Sequence, residues 1–175
     1  GSLAVVSATG DVTLTNDSND VSRLAGNVVS TGKFLRYTDA NGLSIDTVTA
    51  VGTLVAPSTT AALPGADTVG IRTQGGAVTG PTGAQVAVNT LSGGTAGTNT
   101  LTVNQAINTQ RTGNGSTVGG SVILESGEAI TIANNGTTLL GEIKTQGQDN
   151  SGGASGAGGE VFVRSTGAGD ITLGG

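Results

Sequence analysis

The 175-residue chain contains no histidine, cysteine, methionine or tryptophan. Without histidine it lacks the commonest general base and the commonest ligand of zinc and copper, and no Ser-His-Asp triad can form within it. The absence of cysteine is typical of the reducing cytosol. It is equally typical of bacterial surface proteins that cross two membranes unfolded, so it leaves the compartment open.

Aromatic residues make up 2% of the chain and charged residues 11%. A conventional core depends on large apolar side chains, so this core must be narrow and lined by small branched ones. A net charge of −5 with only 7 lysines and arginines disfavours nucleic acid, which requires a basic surface. No apolar run is long enough for a membrane-spanning helix. We therefore expect neither nucleic-acid binding nor membrane insertion.

The few acidic residues do not form a catalytic pattern. Glycoside hydrolysis needs two carboxylates about 5–10 Å apart. Asp17 and Asp20 flank one predicted turn, and Glu125 and Glu128 flank another. Neither pair has an acidic counterpart at the matching place in a neighbouring repeat, so we interpret these acids as solvated turn residues. The sequence thus predicts no catalytic residue, no cofactor, no metal site and no enzyme activity.

One short phrase recurs at a fixed interval. Ile-x-Thr-Gln begins at Ile71, Ile107 and Ile143, so both steps (107−71 and 143−107) are 36 residues. A period between about 20 and 50 residues is the signature of solenoids, propellers and repeat arrays. Because recurrent aromatics are missing, a propeller is the weaker alternative.

Short alternating segments bounded by Gly and Asn follow each copy of the phrase. They are "GGSVILES" (119–126) and "GEAITIANNG" (127–136) after the second copy, and "GGEVFVRS" (158–165) and "DITLGG" (170–175) after the third. After the first copy, the later strands fall in "AQVAVNT" (84–90) or "TLTVNQ" (100–105). Alternation of this kind indicates strands, and no segment shows helical periodicity. We predict an all-β parallel β-helix, or β-solenoid, with about five coils and about three short strands in each.

The whole chain, 1–175, is interpreted as a single β-solenoid segment, with irregular coils at 3–66 and repeat coils at 67–175. Its abrupt ends indicate a fragment of a larger protein. In the irregular part, Leu14 and Ile45 lie 31 residues apart, close to one coil. The polar inserts at 111–118 and 147–157 and the proline-containing loop at 56–67 are expected to protrude and to meet any ligand, whose identity the sequence leaves unknown.

Alignment of the repeats predicts which side chains share a column. The inward-facing positions are Val122, Leu124, Ile130 and Ile132 in one coil and Val161, Val163, Ile171 and Leu173 in the next. Outside, Glu125 and Arg164 become neighbours on adjacent strands and form an exposed ion pair. The predicted structural ladders are an inner isoleucine column (Ile71, Ile107, Ile143), a threonine ladder (Thr73, Thr109, Thr145) and a glutamine ladder (Gln74, Gln110, Gln146). The threonine and glutamine side chains are expected to hydrogen-bond from copy to copy.

Three sequence features carry a family resemblance. They are "VTLTNDSNDVSRLAGNV" (12–28), "DANGLSI" (39–45) and the repeated GG-x-V-x-L/V-x-S followed by ITI or ITL. Together they resemble the β-helical repeat region of filamentous haemagglutinin-type exoproteins of Gram-negative bacteria. The resemblance implies a right-handed β-helix exported by two-partner secretion through an outer-membrane pore. The family's secretion domain carries Asn-Pro-Asn-Gly, and no Asn-Pro occurs here, so this chain corresponds to repeat body.

We therefore expect a non-catalytic structural or adhesive segment of a secreted or cell-surface bacterial exoprotein. Its expected partners are glycans or proteins of host or cell surfaces. One alternative is a self-assembling extracellular fibre subunit, in which copies of the chain stack end to end. Another is a β-helix that binds or degrades polysaccharide.

Overall fold

The computed structural model describes residues 1–50, 67–76, 85–91, 98–111, 116–134, 140–149 and 151–174. The predicted loop at 56–67, apart from its last residue, and positions 112–115 of the first insert lie outside the described residues. The described strands are β1 (Ser2–Ser7), β2 (Val12–Leu14), β3 (Arg23–Thr31), β4 (Leu35–Asp39), β5 (Leu43–Ile45), β6 (Thr47–Val48), β7 (Thr68–Val69), β8 (Ile71–Gln74), β9 (Val86–Thr90), β10 (Leu101–Val103), β11 (Ile107–Asn108), β12 (Val122–Ser126), β13 (Ile130–Ile132), β14 (Ile143–Lys144), β15 (Val161–Ser165) and β16 (Ile171–Leu173).

The strands form three parallel ladders. The first ladder runs β1–β3–β8–β11–β14, the second β2–β4–β9–β12–β15 and the third β5–β10–β13–β16. The long strand β3 pairs with β1, β5 and β8, and thereby joins the first and third ladders into one nine-stranded sheet. The second ladder is a separate five-stranded sheet, and β6 and β7 form a small antiparallel pair.

These sheets confirm the prediction of an all-β protein with parallel strands, and the described residues contain no helix. The arrangement is compatible with a β-solenoid. Parallel strands cannot be joined by tight hairpins. Each ladder accordingly takes its next strand from a later stretch of the chain, after strands of the other two ladders have intervened in most cases.

The core is a narrow column of aliphatic side chains between the ladders, together with one tyrosine, Tyr37. Val122, Leu124 and Ile130 are 0% exposed, which confirms their predicted inward orientation. Between them, Ile123 is only partly covered, because successive side chains of a strand face opposite sides. The core cluster consists of Leu24, Val28, Leu35, Tyr37, Leu43, Ile45, Ile71, Val86, Val88, Leu101, Val103, Ile107, Val122, Leu124 and Ile130.

The predicted inward residues of β15 and β16 are more exposed than expected. Val161, Ile171 and Leu173 are 46%, 43% and 66% exposed, although they pair directly with Val122, Ile130 and Ile132. No described strand packs beyond β15 or β16, so one side of each of these side chains faces solvent. Inward orientation alone does not bury a side chain at the last strand of a ladder.

The pairing in the first half differs from the sequence interpretation. Leu14 pairs with Tyr37, only 23 residues further along (37−14), and Ile45 pairs with Leu24 and Val103. The interval between Leu14 and Ile45 therefore does not mark equivalent positions. After the first Ile-x-Thr-Gln phrase, both candidate segments form strands, since β9 pairs with β12 and β10 with β13.

Candidate functional site

The recurring phrase lies at the centre of the first ladder. Ile107 is the Cα partner of both Ile71 and Ile143. Ile71 and Ile107 are buried, and Ile143, on the last strand of the ladder, is partly covered. The Ile107 amide donates to the Glu142 carbonyl at 2.9 Å, so the backbone ladder continues through the phrase.

Among the threonines of the phrase, Thr109 bonds to the backbone rather than to another threonine. The Thr109 hydroxyl donates to the carbonyl of Gly120, and its oxygen lies 3.1 Å from the carbonyl oxygen of Lys144. The buried Thr73 hydroxyl has no hydrogen-bond partner in the described part of the chain. The predicted hydrogen bonds between threonine side chains are therefore not formed at Thr73, and at Thr109 the hydroxyl donates to a backbone carbonyl instead.

The glutamines also differ from one copy to the next. Gln74 accepts a hydrogen bond at Oε1 from the Arg111 guanidinium at 2.8 Å, and the Arg111 amide donates to the Gln146 carbonyl at 2.9 Å. At Gln110 it is the backbone amide that bonds, to the side chain of Asn108 at 3.0 Å. An arginine just after the phrase thus provides the side-chain bond that the sequence reasoning assigned to a neighbouring glutamine.

The structure brings the predicted ion pair together. Arg164 Nη2 lies 2.6 Å from Glu125 Oε2, and the two residues are Cα partners in the second ladder. The Arg164 side chain is 53% exposed and that of Glu125 is 25% exposed. Solvent screens such a pair, so its contribution to stability is about 0.2–1 kcal/mol.

A column of polar residues at the C-terminal ends of the strands in the second ladder was not predicted from the sequence. Its members, Asp39, Thr90, Ser126 and Ser165, are successive Cα partners on four strands. The Ser126 hydroxyl donates to the Asn99 carbonyl at 2.6 Å, and Thr90 Oγ1 lies 2.8 Å from the same oxygen. The signal was present in the sequence, because "VAVNT", "VILES" and "VFVRS" all end in Thr or Ser.

At the first member of this column, a carboxylate lies in the core, and no basic side chain of the described residues forms an ion pair with it. Asp39 is 0% exposed, and its oxygens accept hydrogen bonds from the Tyr37 hydroxyl (2.7 Å) and from the amides of Val21 (3.1 Å) and Asn41 (3.0 Å). Three donors satisfy the buried group, as a buried carboxylate requires. Burial, followed by the hydrogen bond to Asp39 and the charges of Asp39 and Asp20, raises the pKa of Tyr37 well above its ordinary value.

This raised pKa predicts a loss of stability in alkali. The Tyr37 hydroxyl ionises near pH 10 in the unfolded chain but stays protonated in the folded chain to higher pH. The unfolded state then binds fewer protons, so the free energy of unfolding should fall above pH 10 by up to about 1.4 kcal/mol per pH unit. Urea unfolding between pH 8 and 11 measures this slope. Tyr37→Phe should be less stable at neutral pH and lack this part of the slope; an equal alkaline slope in both chains would contradict the prediction.

A groove of about 270 Å³ crosses the outer face of the second ladder. Its lining includes Arg36 and Thr38 of β4, Ala87 and Asn89 of β9, and Ile123 of β12. The short side chain of Ala87 stands directly between Arg36 and Ile123 in the strand register, and this difference in size forms the depression.

The described residues contain no group of three or more His, Cys, Asp or Glu side chains that could hold a metal ion. Within the same ranges, no helix has the length and hydropathy needed to cross a membrane. Comparisons with known protein families, with curated proteins and with solved structures found no match. Fold and side-chain contacts together define an all-β protein of parallel sheets with an aliphatic core, compatible with a β-solenoid.

Proposed function

We propose that this chain is a non-catalytic structural segment of a larger secreted or cell-surface protein. Its three ladders are, in this proposal, the three faces of a right-handed parallel β-solenoid of five coils. The first coil holds β1, β2 and the start of β3 (Arg23 and Leu24, which pair with β5), and the second holds the rest of β3 with β4 and β5. The third coil holds β8 to β10, the fourth β11 to β13 and the fifth β14 to β16. At about 4.8 Å per coil the stack is roughly 24 Å high.

The observation that carries this proposal is the continuous register of the third to fifth coils in all three ladders; between β3 and β8 the register shifts after Val28. Equivalent aliphatic residues follow one another from strand to strand in each ladder, as in Ile71–Ile107–Ile143, Val86–Val122–Val161 and Leu101–Ile130–Ile171. Hydrogen bonds between strands then run along the axis of the stack, and every coil covers the apolar face of the one before it. Such a stack resists bending, which suits a spacer that holds other regions away from a cell.

The resemblance to filamentous haemagglutinin-type exoproteins supports the proposed location and export through an outer-membrane pore. Glycans or proteins of cell surfaces are the proposed partners, and the inserts at 111–118 and 147–157 are the segments proposed to meet them. The solenoid supplies their fixed spacing, and the inserts supply variable surface.

An assay of polysaccharide cleavage distinguishes this proposal from the enzymatic alternative. We expect no increase in reducing ends and no unsaturated uronate products when the purified chain is incubated with neutral and acidic polysaccharides. Sugar release by the wild-type chain that disappears in Glu128→Gln or Asp17→Asn would overturn the structural assignment. A heat-denatured sample controls for contaminating activity.

Assembly into fibres is the second candidate, and it is favoured by the exposed apolar residues of the outermost strands. If a second copy continued all three ladders in the same register, Leu3 of one copy would align with Leu173 of the other. In the second ladder, Val12 would align with Val161. Aliphatic residues would thus meet aliphatic residues, and the free strand edges would be paired.

Negative-stain electron microscopy over a concentration series tests this second candidate. Filaments of uniform width that lengthen with concentration are expected if copies stack. Leu173→Glu should abolish them, because it places a charge in the joint between copies. Val29→Glu, at an exposed valine of β3 (47% exposed), should leave them intact. Particles of one short length at every concentration would rule out fibre assembly and leave the spacer role.

A further inference from the structure

The groove on the outer face of the second ladder contains a cation, Arg36, for which the described residues provide no salt-bridge partner. The Arg36 guanidinium stacks on the Phe34 ring, with Cζ 4.0 Å from the ring centroid. Its Nε and Nη2 atoms are buried and have no hydrogen-bond partner among the described residues. Unpaired buried donors are costly, so the Arg36 guanidinium gains hydrogen bonds if it turns toward a ligand that supplies acceptors.

Neighbouring acids do not neutralise this guanidinium. Glu125, which also lines the groove, is bonded to Arg164 at 2.6 Å. Asp39, on the same strand as Arg36, accepts its bonds from Tyr37, Val21 and Asn41. In the strand register, Arg36 stands between Thr13 and Ala87, neither of which carries charge.

The two unpaired atoms have a geometry that selects the ligand. Nε–H and one Nη2–H lie on the same edge of the planar guanidinium and point in the same direction. Two parallel donors match the two oxygens of a carboxylate, and such paired, charge-assisted bonds are stronger than single neutral ones. In this structure each atom exposes less than 1 Å². Binding at this edge therefore requires the Arg36 side chain to turn outward into the groove.

The remainder of the groove suits a sugar ring. Thr15, Thr38 and Asn89 provide hydroxyl and amide groups, and Ala87 and Ile123 provide an apolar floor. A volume of about 270 Å³ accommodates roughly one monosaccharide. We propose that this groove binds a uronate residue of an acidic polysaccharide, with the sugar carboxylate on the Nε and Nη2 edge of Arg36. This binding site is independent of the spacer role, which would stand if the groove bound nothing.

Isothermal titration calorimetry of the full chain with trigalacturonate tests the site. Arg36→Gln should weaken binding about tenfold or more, because it removes a charge-assisted pair of bonds. Arg36→Lys should also weaken it, since the charge remains but the paired geometry is lost. Arg72→Gln, an exposed arginine of the first ladder, is the matched control and should leave the affinity unchanged. Circular dichroism establishes that each variant keeps the fold.

Two further ligands identify the source of the carboxylate. Neutral trigalactose should bind at least tenfold more weakly than trigalacturonate, and a triglutamate peptide should do the same. Equal binding of the peptide would overturn the assignment to a sugar. Equal affinity of wild type and Arg36→Gln, or no binding of trigalacturonate by the wild type, would overturn the site itself. If the variants do not fold, the ¹⁵Nε signal of Arg36 in the wild-type chain must shift with trigalacturonate, and an unmoved signal refutes the proposal.

Discussion

Leu124→Ala is expected to lower the free energy of unfolding by about 2–5 kcal/mol. Leu124 is 0% exposed and pairs with Val88 on one side and Val163 on the other. Hydrogen bonds to both neighbouring strands hold β12 in place, so the strands cannot close around the cavity left by the missing methyl and methylene groups. Urea unfolding at neutral pH measures the loss.

The adjacent residue provides a control of similar size. Ile123 lies on the same strand but faces outward, and it is only partly covered. Ile123→Ala should therefore cost about 1 kcal/mol or less, since it removes some apolar contact without creating a cavity. Equal losses in the two variants would show that the assigned inward and outward faces of β12 are wrong.

Gly70→Ala is expected to destabilise the protein by about 2 kcal/mol or more, for two reasons that act together. Gly70, between β7 and β8, has a φ of 60°, which costs an L-residue with a side chain about 1–2 kcal/mol. An added Cβ would also overlap the carbonyl oxygen of Ala106. That oxygen accepts the Ile71 amide at 3.1 Å, and the Gly70 carbonyl accepts the Gly26 amide at 2.9 Å, so neither backbone segment can move without loss of a ladder bond.

Gly10→Ala separates this effect from a general intolerance of substituted glycines. At Gly10 the nearest atom to an added Cβ would be Ser7 Oγ at 3.7 Å, an ordinary contact, and φ is not positive. The change should alter the free energy of unfolding by less than about 1 kcal/mol in either direction. A Gly70→Ala protein as stable as Gly10→Ala would contradict the close approach of the two backbones.

Most of the contacts that could be predicted from the sequence lie in the repeat. A constant step of 36 residues set Ile71, Ile107 and Ile143 side by side, and the structure pairs them. The same alignment placed Glu125 opposite Arg164, where the two now form an ion pair. The register of the paired strands could be predicted from the sequence because a one-residue slip would turn every inward side chain of a strand to the solvent.

Sequence reasoning failed where contacts depend on chain segments without a shared phrase. Leu14 pairs with Tyr37 after 23 residues (37−14), whereas Leu43 pairs with Leu101 after 58 (101−43), so no single period describes the first half. The burial of Asp39 depends on amides from Val21 and Asn41, which no repeat pattern marks. Free hydroxyl rotation adds a further difficulty, since Thr109 can bond to whichever carbonyl lies nearest.

The groove was not predicted at all, although its parts are visible in the sequence. The row formed by Arg36, Ala87 and Ile123 requires the register of three strands from three separate stretches. The pairing of Arg36 with Ala87 joins the irregular coils to the repeat coils, and the 36-residue period gives no guidance across this border. Only that pairing reveals that the small side chain of Ala87 leaves a depression next to the Arg36 guanidinium.

The ladder pattern limits how far apart in sequence paired strands lie. Every pairing of described strands joins residues between 20 (68−48) and 58 (101−43) positions apart. No pairing therefore requires the loss of conformational entropy that closing a loop of the full chain length would cost. Ordering can spread from one strand to the next. Duplication of a 36-residue unit would add pairings at its own borders and leave all others unchanged. Length is thus a property that simple gene duplication can adjust without any redesign of the core.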